Sequence, residues 1–290
     1  MGTLVSLLLL GLMWGGVYLL MAQGLNLIYG VMRVVNLAHG DLIVMGGLIA
    51  FSLFHHAGLS PLLALAPVFA LLFVLGLLIA AGVLERIEEE GPRGELRTLF
   101  ATFGLSYLLA NTSFLIWGGQ FQSIPFLQGA LVLGPLTLPE GLAAASAAAF
   151  ALALLLHLFL ERTLTGKTIR AVAQSPLGAA ASGIAVRWVR VFTFALGTAL
   201  AGAAGALVIC LVPFQSASGP DLTVQSFTLV ALGGLGNMLG AWLAAELLGL
   251  IEVFAQYTLG PDAATAAFYL LFILFLIVRP QGLLGQAGRV

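Results

Sequence analysis

Residues 161–190 read ERTLTGKTIRAVAQSPLGAAASGIAVRWVR and lie between two long apolar runs, 141–160 and 191–212. Five of the chain's eleven basic residues fall in this stretch, namely Arg162, Lys167, Arg170, Arg187 and Arg190. A loop this basic between membrane spans stays in the cytoplasm, because positive charge resists translocation. Its alternation of small residues and cations suits a short helix that lies on a partner protein. The stretch therefore predicts a membrane protein with a cytoplasmic loop that contacts another subunit.

The composition of the chain is that of an integral membrane protein. Of its 290 residues, 61% are hydrophobic and 8% are charged, with a mean hydropathy of +1.10. The 36 glycines favour close helix–helix approach, since small residues drive helix packing in lipid. A net charge of −1, with no basic run interleaved with aromatic residues, gives no indication of nucleic-acid binding. The single cysteine, Cys210, predicts no disulfide and no metal site, and we expect no cofactor.

Nine apolar segments are long enough, or nearly so, to be transmembrane spans. They are residues 4–29, 39–56, 62–84, 98–117, 141–160, 189–212, 223–237, 240–259 and 263–279. The first has no basic start and no small-residue cleavage site, so it is predicted to be a retained span rather than a signal peptide. The seventh is short and the second is bounded by polar residues, so the count is eight if one of them is re-entrant. The whole chain, 1–290, is predicted to form one membrane domain.

The distribution of basic residues predicts the orientation of these spans. With nine spans, all eleven Lys and Arg residues fall on one side, and the opposite loops contain none. The positive-inside rule then places the N-terminus outside and the C-terminus in the cytoplasm. The acidic run Glu88–Glu90 does not change this, because acids contribute little to orientation. The longest outer loop, 118–140, is rich in Gly, Pro and Gln, which predicts a turn-forming surface where an external partner can dock.

Three patterns resemble catalytic or nucleotide-binding motifs, but the residues around each of them do not support that function. The GKT at 166–168 lacks the earlier glycine of a phosphate-binding loop, because position 161 is Glu and a membrane span precedes it. The glycines of LGGLGNMLGA, 232–241, lie between apolar spans, where a tight membrane turn is the better interpretation than a dinucleotide site. Ser106 and His157 match a protease dyad only by chance, with no oxyanion donors beside them.

The segment NLAHGD, 36–41, is the most polar group inside an apolar region. A carboxylate within a bilayer costs about 2.5–3.5 kcal/mol on insertion scales and is rarely left facing lipid. Two interpretations remain open and are compatible. In the first, Asp41 caps the second span, where the helix dipole favours an anion. In the second, Asp41 lies on a transport pathway together with Asn36, His39 and Gly40. The deeper acids Glu246 and Glu252 project about 240° apart around one helix, so they do not both face one narrow pore.

Glycines interrupt one apolar segment early in the chain and another late in it. The early ones are Gly30, Gly40, Gly46 and Gly47, and the late ones are Gly233, Gly234, Gly236 and Gly240. Such interruptions in corresponding places of two halves point to a central pathway. We therefore expect Gly234, Gly236 and the adjacent Asn237 to lie against that pathway or a partner. A valine at Gly236 should be harmful, whereas Gly76 is expected to face lipid and to tolerate alanine.

Four segments of the chain resemble the permeases of branched-chain amino acid ABC importers, the LivH type rather than its LivM partner. They are GLNLIYGVMRVVNLAHGDL (24–42), GKTIRAVAQSPLGAAASGI (166–184), FALGTALAGAAGAL (194–207) and LVALGGLGNMLGAWLAAELLGLIE (229–252). The resemblance covers about residues 10–280. It implies an all-α integral membrane fold of the type II importer class, with eight or nine transmembrane helices, in a bacterial plasma membrane.

The same resemblance implies a function and partners. The chain would be a permease subunit without a catalytic site, paired with a second, LivM-like permease. Two cytoplasmic ATP-binding subunits and an external solute-binding protein would complete the transporter, within membrane lipid. The coupling loop maps onto Gly166–Ile184. Its predicted ATPase contacts are Gly166, Lys167, Arg170, Ala171, Ala180 and Gly183.

Two alternatives to an importer of branched-chain or other apolar amino acids stay open. Permeases of this type also serve urea and short amides, and the binding protein largely sets the choice of solute. A secondary transporter coupled to an ion gradient through Asp41, Glu246 or Glu252 is the alternative from a different class of protein.

Overall fold

The computed structural model describes residues 2–87, 92–134 and 136–285. The acidic run 88–90 and Arg289 lie outside the described residues. The described part is a bundle of helices with one small β-hairpin. The helices are α1 (Gly2–Met32), α2 (His39–Ala57), α3 (Pro61–Ile79), α4 (Glu85–Ile87), α5 (Pro92–Trp117), α6 (Glu140–Arg162), α7 (Leu164–Gln174), α8 (Pro176–Ala181), α9 (Val186–Val208), α10 (Gly219–Gly233), α11 (Met238–Leu259) and α12 (Pro261–Val278).

Each of the nine predicted spans contains a helix, although the bounds differ. Among the described residues, seven helices are long and apolar enough to cross a membrane; the third of these continues from α3 through a π-helical turn, Ala80–Leu84, into α4. The two shorter helices are α10, with 15 residues, and α12, with 18. The sixth span ends at Val208 rather than 212, and the seventh at Gly233 rather than 237, where Gly234 ends α10 at a φ of 101°.

Helices α2 and α10 begin inside the bundle rather than at its surface. The Nε2 atom of His39, the first residue of α2, is 3.0 Å from the carbonyl oxygen of Met21 in α1. Gly24, one turn further along α1, packs against Gly197, which lies halfway along α9. The first residue of α10, Gly219, packs directly on Gly40. The N-termini of both helices therefore meet deep in the protein, and segments 33–38 and 209–218 re-enter the bundle to reach them.

The helix contacts repeat between the two halves of the chain. Helix α1 packs antiparallel against α11, with Gly11 facing Leu250 and Gly15 facing Glu246. Helix α9 packs in the same way against α3, and α2 and α10 pair with each other at the centre. This pattern agrees with the two glycine-interrupted halves of the sequence. In this repeated pattern of contacts, α1, α2 and α3 correspond to α9, α10 and α11.

Glycines lie where helices cross most closely. Gly46 of α2 packs on the backbone of Gly202 in α9, and Gly205 of α9 packs on the carbonyl of Ile43. Gly76 of α3 also lies at a close helix crossing, since an added Cβ would lie 2.6 Å from the Cα of Ala195 in α9. The expectation that Gly76 faces lipid was wrong. Apolar periodicity does not show which glycine lies under a neighbouring helix.

Residues 130–139 of the predicted turn-forming loop contain a β-hairpin. Strand β1 (Ala130–Leu133) pairs antiparallel with β2 (Leu136–Pro139), so the fold is helical with one small sheet. At this end of the bundle Gln122 also pairs with Phe214. The basic loops meet at the other end, called the basic end below. There Arg33 donates to the carbonyl of Ala173 at 3.4 Å, and Arg187 lies 3.4 Å from Glu85.

Candidate functional site

The predicted NLAHGD segment forms the junction where α2 and α10 meet. Asn36 and Asp41 are each 1% exposed, and His39 is fully buried. The amide N–H of Gly40 donates to the hydroxyl of Thr223 in α10 at 2.8 Å. The same hydroxyl has the carbonyls of Leu37 and Gly219 within hydrogen-bonding distance. This junction therefore joins the two halves of the chain through backbone and side-chain hydrogen bonds.

Asp41 does not cap its own helix. Ala38 occupies the N-cap of α2 without a side-chain bond, and Asp41 lies in the first turn. Its Oδ2 atom accepts a 2.5 Å hydrogen bond from Ser106 of α5, and its Oδ1 atom lies against Gly219, where α10 begins. Helix N-termini carry partial positive charge that favours an anion. The carboxylate is therefore placed between two helix N-termini, which the capping interpretation did not predict.

Three buried polar atoms at this junction have no hydrogen-bond partner among the described residues. They are Nδ2 of Asn36, Nδ1 of His39 and Oδ1 of Asp41. Asn36 uses its Oδ1 atom to accept from the N–H of Ala38 at 3.1 Å. Buried polar atoms are nearly always hydrogen-bonded to protein or water, so a group of three calls for an explanation. The junction therefore offers unused hydrogen-bonding groups, as expected of a functional centre within an apolar bundle.

The glycine-rich turn lies at the basic end, away from this junction. Gly234 and Gly236 have φ of 101° and 81°, and the N–H of Gly236 donates to Asn26 of α1 at 2.7 Å. Asn237 caps α11 by accepting from the N–H of Gly240 at 2.9 Å. Helix α10, about 22 Å long at 1.5 Å per residue, separates this turn from Asp41. The structure therefore does not bring the two predicted groups of pathway residues together.

Replacing Gly236 by valine is expected to destabilise the turn by about 1–2 kcal/mol or more, because a β-branched residue at positive φ is strained. The change also strains the backbone that donates to Asn26. Thermal unfolding of the purified protein in detergent measures the loss. Gly82→Ala is the control, since an added Cβ there meets nothing within 4 Å. An unfolding temperature equal to that of the wild type for Gly236→Val would contradict this assignment of the turn.

The basic loop forms two short helices, α7 and α8, beside the ends of α6 and α9. Thr163 caps α7 by accepting from the N–H of Gly166 at 2.9 Å, and Gly166 packs tightly on α6. Arg170 forms a 2.6 Å ion pair with Glu161, so part of its charge is satisfied within the loop. Lys167, Ala180 and Gly183 are exposed and Ala171 is half-buried. Gly166 is therefore buried against α6, whereas the other predicted coupling residues are at least partly exposed.

Sequence reasoning missed several residues of both regions. Leu164 is 81% exposed and Leu177 is 84% exposed, on the surface of α7 and α8. Their position was a usable signal in the sequence, because each is an apolar residue in a basic loop outside any predicted span. Nothing in the sequence linked Ser106 or Thr223 to the junction, because both come from distant parts of the chain. Glu246 packs on Gly15, and Glu252 bonds Tyr18 and Gln256, so neither acid joins Asp41.

Comparisons with known proteins agree with this architecture. The family model described as "Branched-chain amino acid transport system / permease component" matches residues 7–278. The high-affinity branched-chain amino acid transport system permease protein BraD of Pseudomonas aeruginosa is 30% identical, with 95% of this chain and 94% of BraD covered. The corresponding permease protein LivH of Escherichia coli K12 is 28% identical with the same coverage.

A more distant relative and a solved structure extend the comparison. The probable branched-chain amino acid transport permease protein LivH of Methanocaldococcus jannaschii is 26% identical, with 94% and 90% of the two chains covered. A chain of PsaBC from Streptococcus pneumoniae in complex with Fab shares the fold with a TM-score of 0.50 and 14% identity, over 95% of this chain and 92% of that one. The chain is a multi-pass membrane protein and belongs to the family of permease components of branched-chain amino acid transport systems.

Proposed function

We propose that this chain is one permease subunit of an ATP-driven importer that moves branched-chain or other apolar amino acids across the plasma membrane. Its relatives are named as permease proteins of branched-chain amino acid transport systems. The whole chain acts as one membrane domain and has no catalytic site. ATP hydrolysis takes place in partner subunits, and no cofactor takes part.

The complete transporter contains a second, related permease, two ATP-binding subunits and an external binding protein. The basic end of the bundle faces the cytoplasm, because a membrane retains positively charged loops on that side. The N-terminus is then outside. The hairpin end, with β1 and β2, faces the binding protein. Asn36, His39, Gly40 and Asp41 are buried behind α5, so they support the pathway through the contact of Asp41 with Ser106 and do not line it.

The observation that carries the proposal is the exposed surface of α7 and α8. Leu164 and Leu177 project from a loop that also holds Lys167 and the half-exposed Arg170. Apolar side chains that are exposed among cations outside the spans indicate a protein partner rather than lipid or water. Ala171, Ala180 and Gly183 keep this surface flat enough for close contact, and the buried Gly166 holds α7 close against α6. The glycine-rich turn Gly234, Gly236 and Asn237, also at the basic end, would transmit movement of this surface to α10 and α11.

Leu177→Glu is expected to abolish stimulation of ATP hydrolysis by the loaded binding protein. Leu177 is 84% exposed, so the change leaves the bundle intact while placing a charge in a buried contact of the complex. A lost hot-spot contact of this kind costs about 2 kcal/mol or more. Hydrolysis by the purified complex is the measurement. Stimulated hydrolysis at the wild-type rate would refute this docking surface.

The proposal as a whole is tested by assembly. The tagged chain, expressed with candidate ATP-binding and permease subunits from the same genome, should co-purify with both. Hydrolysis by the complex should rise when the binding protein carries leucine. A rise with urea or a short amide instead would correct the solute. A chain that purifies alone and takes up solute on a proton gradient would replace the importer with an ion-coupled transporter.

A further inference from the structure

Helix α5 is the least enclosed of the seven long membrane helices. Of the 18 consecutive residues that form its most apolar part, 17% are buried inside the chain, compared with 89% for the corresponding part of α9. Exposure of a membrane helix to lipid is ordinary when its outer face is apolar. The outer face of α5 is mostly apolar, but one polar side chain, that of Asn111, is exposed on it.

The inner face of α5 is fixed against α2 and the segment before it by polar contacts. Ser106 donates to Asp41 at 2.5 Å, and the indole N–H of Trp117 donates to Ser52 at 2.6 Å. Thr102 contacts the carbonyl of Val35 at 3.5 Å. These three contacts follow the same side of the helix over four turns. They define which face of α5 points away from the protein.

The outward face carries one continuous row of side chains. Phe100 is 69% exposed, Tyr107 62% and Leu115 83%, and Asn111 is exposed between the last two. At Gly104, in the same row, an added Cβ would meet nothing within 4 Å. We call these five residues, 100, 104, 107, 111 and 115, the α5 face. Their spacing of three and four residues places them in line along the helix.

Asn111 lies at a depth where lipid is a poor neighbour for an amide. Ser106 is level with the central junction through its bond to Asp41, and Asn111 is about 7.5 Å further along the helix. Within the described residues its side chain makes one hydrogen bond, from Nδ2 to the carbonyl of Tyr107 at 2.7 Å. Its Oδ1 acceptor would then face hydrocarbon without a partner, which is costly. The α5 face is therefore not a lipid-facing surface.

We infer that the α5 face lines the water-filled solute pathway, where Asn111 hydrogen-bonds the charged end of an amino acid and its aromatic neighbours contact the apolar side chain. A tightly packed partner helix fits this face less well, since close helix contacts in lipid use small residues, and three of these five residues, Phe100, Tyr107 and Leu115, are large and exposed. The inference rests on the proposed function for the identity of the solute. It adds a wall of the pathway, with Asn111 as the residue that selects for a polar head group.

The test measures thiol reactivity in the assembled transporter reconstituted in vesicles. Cys210, the single native cysteine, is first replaced by alanine. Asn111→Cys is compared with Leu154→Cys on α6, whose side chain is 57% exposed on a purely apolar surface. The probe is the impermeant reagent 2-sulfonatoethyl methanethiosulfonate. Only a thiolate in water reacts, so Asn111→Cys should react about tenfold faster than Leu154→Cys.

Turnover and transport give the second reading. Leucine delivered by the binding protein, with ATP present, should change the reactivity of Asn111→Cys and leave that of Leu154→Cys unchanged. Asn111→Leu should lower leucine uptake about tenfold, equivalent to about 1.4 kcal/mol, with assembly preserved. Reactivity of Asn111→Cys as low as that of Leu154→Cys would overturn the inference, as would normal uptake by Asn111→Leu. A reactive Asn111→Cys in a complex that does not take up leucine would support the α5 face and refute the proposed solute.

Discussion

Replacing Gly46 by valine is expected to prevent the chain from reaching its folded state. Gly46 packs on the backbone of Gly202 where α2 crosses α9, and no space for a side chain exists there. Overpacking usually costs about 1–3 kcal/mol when neighbouring side chains can move. Here the neighbour is the backbone of a helix that is buried on all sides, so the two helices must separate. The loss should exceed that range.

The measurement is the amount of monodisperse protein extracted from membranes, followed by its thermal unfolding. Gly82→Ala is the control, because an added Cβ there meets nothing within 4 Å. It should be extracted at the wild-type level. Normal yield and unfolding temperature for Gly46→Val would show that α2 and α9 do not cross at these glycines, and the central half of the fold would need revision.

Removing the Asp41 carboxylate is expected to reduce transport about tenfold or more and to destabilise the protein. Asp41→Ala removes the acceptor of the Ser106 hydroxyl and the anion beside the first residue of α10. A hydrogen bond to a charged group contributes about 1.5–3 kcal/mol, and a charge at a helix N-terminus adds about 0.3–1 kcal/mol or more. Because the carboxylate joins α2, α5 and α10, both folding and transport should depend on it.

Two serines of α5 provide a matched pair for this test. Ser106→Ala removes the donor to Asp41, whereas Ser113→Ala removes a buried hydroxyl that has no partner among the described residues. Ser106→Ala should be clearly destabilising and Ser113→Ala nearly neutral. The double variant Asp41→Ala with Ser106→Ala should cost less than the sum of the single changes, by about 1 kcal/mol or more. Additive losses would show that the two side chains act independently.

Local sequence properties determined most of what was predictable in the fold. The positions of the helices follow from apolar segments about 20 residues long, and the loop at 161–190 follows from its cations. The hairpin at 130–139 was missed, although short apolar segments on both sides of a Gly-Pro pair were a usable signal. An all-helical expectation led to its interpretation as a turn. The bounds of α10 were also misplaced, because its first residues are glycine, proline and aspartate.

Only part of the central junction could be predicted from the sequence. The polar run 36–41 was identified, but its partners come from distant parts of the chain. Thr223 is 183 residues from Gly40, and Ser106 is 65 residues from Asp41. Neither serine nor threonine is unusual in a membrane helix, so nothing local marks these positions. The capping interpretation of Asp41 considered only its own helix for the same reason, whereas the packing places the carboxylate beside α10 as well.

Uptake of labelled leucine into vesicles tests the central claim most directly. The vesicles contain this chain with its second permease and ATP-binding subunits, ATP inside the compartment that the basic end faces, and the loaded binding protein on the opposite side. The account predicts uptake that requires ATP hydrolysis, is abolished by Leu177→Glu and is unaffected by a proton ionophore. Leucine uptake by the chain alone, without ATP and collapsed by the ionophore, would contradict it.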